Sequence, residues 1–87
     1  SLIVSNDVTN KQCSLLIRPA ETRSALAILK ITDAGKVTGF VYQTRALESG
    51  IAQTLTIDKP STGALCEGFL WEDWSGTSLA DKVEISL

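Results

Sequence analysis

The chain has 87 residues, 44% of them hydrophobic, and a formal charge of −2, which is enough apolar content for one core and too much for a disordered linker. Its eight basic residues are scattered singly, at positions 11, 18, 23, 30, 36, 45, 59 and 82, so no cluster neutralises a row of phosphates and nucleic acid is not expected as a partner. No apolar run approaches the roughly 18 residues of a membrane span and no signal peptide precedes Ser1, so the expectation is one mature, soluble module, residues 1–87, excised from a longer polypeptide.

Short apolar stretches rich in Val, Ile, Leu and Thr, separated by turn chemistry, predict seven strands and no long amphipathic helix. The first is Leu2–Ser5, ended by the polar run Asn6 to Asn10. The second, Gln12–Arg18, puts Cys13, Leu15 and Ile17 on one face and stops at Pro19, which has no N–H for a ladder. The third, Ala25–Ile31, is apolar almost throughout, as a central strand covered on both sides would be. Asp33-Ala34-Gly35 makes a tight turn in which Gly35 takes a positive φ, leading by a hairpin into the fourth strand, Val37–Thr44. After the turn at Glu48-Ser49-Gly50, the fifth strand, Ile51–Asp58, places Ile51, Gln53, Leu55 and Ile57 on one face. Lys59 to Gly63 breaks the pattern. The sixth strand, Ala64–Glu72, carries Cys66 and Phe69-Leu70-Trp71, and the seventh is Lys82–Leu87.

Seven short strands at this spacing, with no crossover helix, predict an all-β fold: an immunoglobulin-like antiparallel two-sheet sandwich. Cys13 and Cys66 then fall on the second and sixth strands, which that topology sets face to face. A disulfide between them would close a 53-residue loop, worth about 4 kcal/mol in the chain-entropy model. Two unlinked buried thiols in a reducing compartment are the other reading; a small domain gains most from a staple, which favours the bond.

The hairpin Ile31 to Val37, the segment Gly68-Phe69-Leu70-Trp71-Glu72-Asp73 and the ending Ser78-Leu79-Ala80-Asp81-Lys82-Val83-Glu84 together resemble a recurring module over residues 25–87. It is similar to the immunoglobulin-like β-sandwich module appended to secreted bacterial polysaccharide-degrading enzymes and surface-layer-anchored proteins. That family often has Pro where this chain has Ser78, and an aromatic where it has Ile31. The resemblance implies an extracellular or cell-surface bacterial setting and neighbouring modules of the same chain as partners. It also implies an accessory role, in spacing, in stabilising a catalytic neighbour or in binding carbohydrate.

The chain contains no histidine, GxSxG motif or phosphate-cradling glycine loop, so it is not expected to be an enzyme or to hold a cofactor. Zinc has almost no ligands to draw on. Glu72, Asp73 and Asp81 are hard oxygen donors for Ca²⁺ but lack a spaced ligand loop, which makes them weak metal candidates.

The tryptophans carry the functional question. With Cys66 facing inward, Gly68 and Leu70 follow it, while Phe69 and Trp71 leave the inter-sheet core. Leu79-Ala80, on the segment returning to the last strand, is the expected cap over Trp71, whose burial over roughly 200 Å² gains several kcal/mol. Trp74, flanked by Asp73, Ser75 and Gly76, has the composition of an exposed residue. The leading expectation is a non-catalytic scaffold module. The alternatives are a polysaccharide-binding module stacking sugar on Trp74 with Tyr42 or an exposed Trp71, and a protein-interaction module offering an edge strand.

Overall fold

The alternating and β-branched stretches fold into seven strands, with no helix, among residues 1–59 and 64–87, which the computed structural model describes. They are β1 (Leu2–Asp7), β2 (Gln12–Ile17), β3 (Arg23–Asp33), β4 (Lys36–Leu47), β5 (Gln53–Asp58), β6 (Leu65–Trp71) and β7 (Val83–Ser86). The break expected at Lys59 to Gly63 lies outside the described residues beyond Lys59. No helix among those residues is long and apolar enough to cross a membrane.

Every strand pairing is antiparallel, in two sheets ordered β1-β2-β5 and β4-β3-β6-β7. The sheets bury a common core. Cys13, Leu15 and Ile17 of β2 are fully buried and meet Ala25, Ala27, Leu29 and Ile31 of β3 and Cys66 and Leu70 of β6 in one cluster. The period-2 alternation of β2 puts its apolar set on the side facing the second sheet. Cys13 and Cys66 form a disulfide that staples β2 to β6 through this core. Gly68 lies at a close approach of the sheets: a Cβ there would stand 2.6 Å from Leu15 Cδ1 of the opposing sheet and 3.2 Å from Val83 Cγ2 of its own.

Two boundaries differ from the sequence reading. β4 continues past Thr44 because Leu47, still in register with Arg23, reaches the core and is buried. β5 begins only at Gln53: Gly50 takes φ +81° and the Ile51 N–H donates to Glu48 O (3.0 Å), so residues 48–51 form a turn. Ile51 is consequently outside the strand and exposed.

The β3–β4 hairpin turns on Ala34 (φ 51°) and Gly35 (φ 80°), the two positive values that let a two-residue connection follow the twist of its strands. Near that turn the register shifts between Ile31 and Thr32, leaving Thr38 as an extra residue of β4. Such a bulge bends a strand and disrupts its ladder locally.

Candidate functional site

The outward face of the four-stranded sheet carries the unusual chemistry. Side chains alternate across a strand, so Leu26, Ile28 and Lys30 of β3 point away from the core that Ala25, Ala27 and Leu29 enter. Register sets Leu26 between Thr44 and Trp71, Ile28 between Tyr42 and Phe69, and Lys30 between Phe40 and Glu67. Leu26 and Ile28 are only 2% exposed although they face outward, because larger side chains on β4 and β6 flank them. The apolar composition of β3 thus reflects cover on both faces.

On β6, Phe69 and Trp71 are half-buried and meet edge to face, with centroids 5.6 Å apart. The ammonium of Lys30 lies 5.6 Å from the centre of the Phe69 ring, within cation–π range. Phe40 and Tyr42, two apart on β4, have centroids 5.8 Å apart. Tyr42 then meets Trp74, which comes from the loop after β6, at 5.0 Å and 75°. Tyr42 is 55% and Trp74 58% exposed, so these two rings form an open, nearly right-angled corner.

The Trp74 loop is shaped by its polar residues. Asp73 Oδ1 accepts the Ser75 N–H (2.8 Å), the Gly76 N–H donates to Asp73 O (3.3 Å), and Gly76 takes φ +87°. The Ser75 hydrogen bonds hold the Asp73 carboxyl below its usual value, so the acid beside Trp74 stays ionised. The Glu72 N–H donates to Thr77 O (2.8 Å) and Trp71 bridges to Ser78, which closes the loop.

Leu79 takes a definite place. Its N–H donates to Leu70 O (2.8 Å), and its side chain, like Ala80, packs partly buried against the inter-sheet core. Leu47, Leu70, Leu79 and Ala80 line a cavity of about 120 Å³ at that end of the sandwich, rimmed by Arg18, Glu21 and Arg23. Across the outer face Trp71 meets the Phe69 ring, pairs with Leu26 of β3 and bridges to Ser78.

Beyond the rings the face is charged and internally balanced. Glu67, 8% exposed, lies between Lys82 (2.9 Å) and Lys30 (3.5 Å), and Lys82 also approaches Glu84 at 3.8 Å. The Lys82 hydrogen bond, with the charge of Lys30, holds the Glu67 carboxyl below its usual value against partial desolvation. Glu72 pairs with Arg23 at 3.3 Å. Glu72, Asp73 and Asp81 are not gathered on a common centre: among the described residues no group of three or more His, Cys, Asp or Glu is placed to hold a metal ion.

The structure brings together Tyr42 and Trp74, which the sequence had singled out, sets Phe69 outside the inter-sheet core beside Trp71 as expected, and adds Phe40 and Lys30, which the sequence reading had not named. Phe40 was open to recognition, since it shares a strand face with Tyr42 at spacing two. Set against family models, curated proteins and solved structures, the chain matches none of them.

Proposed function

We propose that the chain is a non-catalytic, immunoglobulin-like accessory module of a secreted multimodular bacterial protein, and that its aromatic corner is a saccharide-stacking surface. The strand order supports the immunoglobulin-like part. Second and sixth strands face each other with a cysteine on each, and the fourth strand joins the sheet of the third, as the added strands of variable-type domains do. The disulfide suits an oxidising, extracellular setting.

The observation that carries the binding reading is the Tyr42–Trp74 contact at 5.0 Å between two rings that are each more than half exposed. Contiguous exposed apolar surface on a small domain marks an interaction site. Flat aromatic faces without a deep cavity suit a ligand that is itself flat on one side and hydroxylated at its edge, as a pyranose ring is.

Electrophoresis through gels containing plant or bacterial polysaccharides tests this. Retardation is expected for the native chain and is expected to disappear in Trp74→Ala, which gives up one edge-to-face ring contact worth about 0.5–1.5 kcal/mol and leaves the core intact. Unchanged mobility in every gel, together with tryptophan fluorescence that no polysaccharide perturbs, would refute the binding reading and leave the scaffold role alone.

A further inference from the structure

The corner is electrostatically lopsided. The segment from Glu72 to Asp81, which carries Trp74, contains three acids and no basic residue. Glu72 is matched by Arg23, and on the sheet Glu67 and Glu84 are matched by Lys82 and Lys30. Asp73 and Asp81 have no ion-pair partner among the described residues. Asp73 adjoins Trp74 directly, and its carboxylate is hydrogen-bonded within its own turn, to Ser75. The open rings add to this bias, because an aromatic face presents negative potential and attracts a cation within about 6 Å of its centre. Phe69 already has Lys30 above it, whereas among the described residues no cation lies over Tyr42 or Trp74. Two exposed ring faces at 75° with unmatched acids in the adjoining loop complement a ligand that is flat, apolar on one side and positively charged at its rim.

We infer that the Tyr42–Trp74 corner selects amine-bearing, cationic saccharides over neutral or acidic ones, with Asp73 supplying the charge selection. This rests on the saccharide-stacking reading above and narrows it to a ligand class. The rings would stack on the sugar's C–H face, while a protonated amine lies at the acidic loop.

The experiment titrates the native chain, by tryptophan fluorescence in mildly acidic buffer, with two probes: a hexamer of glucosamine, whose amines are protonated, and the N-acetylglucosamine hexamer, which keeps the rings and removes the charge. The glucosamine hexamer is expected to bind about three- to thirtyfold more tightly, the sum of one exposed cation–π contact and one solvent-screened ion pair. Asp73→Asn retains an acceptor for the Ser75 N–H and so preserves the loop; by removing the ion pair it should narrow the ratio about 1.4- to fivefold, weakening only the amine-bearing probe. Equal or tighter binding of the acetylated hexamer would overturn the charge selection while leaving the stacking surface in place. So would an affinity ratio unchanged in Asp73→Asn. Failure of both hexamers to bind would bring down the saccharide reading itself, and the selection with it.

Discussion

Gly68→Ala tests whether the two sheets are as closely apposed at β6 as the structure has them. The added methyl would lie 2.6 Å from Leu15 Cδ1 and 3.2 Å from Val83 Cγ2, where carbon atoms prefer about 3.5–4.0 Å. Leu15 is fully buried on the central strand of its sheet, so it can yield only by leaving its rotamer or by moving the sheet. Overpacking of this kind costs about 1–3 kcal/mol. Against this, replacing glycine stabilises by about 0.4–1 kcal/mol through the unfolded chain. With each effect at the middle of its range the net expectation is a loss of about 1.3 kcal/mol, or roughly 5–10 °C in Tm for a domain of this size. Urea denaturation followed by tryptophan fluorescence measures it. A companion substitution supplies the control: in Leu15→Ala the clash disappears, so Gly68→Ala should be less damaging there than in the native background, giving a favourable coupling energy. A neutral or stabilising Gly68→Ala, or a coupling near zero, would show that Leu15 is not pressed against this glycine and would refute the reasoning.

Ala34→Asn should raise stability by about 0.5–1 kcal/mol, since Ala34 sits at φ 51° in the hairpin turn and asparagine tolerates that region better; chemical denaturation reads it. Glu67→Gln should cost about 1 kcal/mol and flatten the acid limb of the stability profile. Because the Glu67 carboxyl is held below 4.5 in the folded chain, its contribution is present above that value and lost as pH falls through the folded pKa, and a pH series of melts on both proteins shows the difference. Replacing both Cys13 and Cys66 by alanine should remove about 4 kcal/mol, the chain-entropy value for a loop spanning 53 residues, together with any packing lost around the fully buried sulfurs, as equilibrium unfolding would show.

What was legible in the sequence was what depends on period and local chemistry. The facing of Cys13, Leu15 and Ile17 follows from alternation alone, and two cysteines on core faces of the second and sixth strands invite their bond. The turn at Gly35 was readable from a residue type. The positive φ of neighbouring Ala34 was not, because the twist of the strands imposes it on a residue that does not favour it. The strand limits at Leu47 and Gln53 depend on where the core ends, which is a property of two sheets together.

The Trp74 segment shows the same division. Its exposure followed from composition, but its contact with Tyr42 needs the register of β4 on β3 and of β3 on β6. Leu79 shows it from the other side. That the chain must return to β7 was evident; which side Leu79 enters is decided by its hydrogen bond to Leu70 O, which directs it to the core cavity beside Leu47.

The open aromatic face gains meaning when compared with the open edge beside it. At twelve residues β4 is the longest of the four outer strands, β1, β5, β4 and β7, and a long edge is a template for unwanted pairing. It carries the devices that blunt such templates. Thr38 is an extra, bulged residue near its start, where Lys36 adds a charge. Near its end Arg45 turns inward, half-buried, and donates to Gln43 Oε1 (2.7 Å) and Gln53 Oε1 (3.1 Å). The uncharged stretch left between these guards, Gly39 to Thr44, is short. Partner binding by strand addition is therefore opposed at both ends of β4. The face formed by Phe40, Tyr42 and Trp74 carries no such guard: its exposed rings meet one another and nothing bulky among the described residues covers them. The fold thus guards the edge of β4 at both ends while the rings of Phe40, Tyr42 and Trp74 stay open, and that contrast is why the proposed ligand is sought on the face and not on the edge.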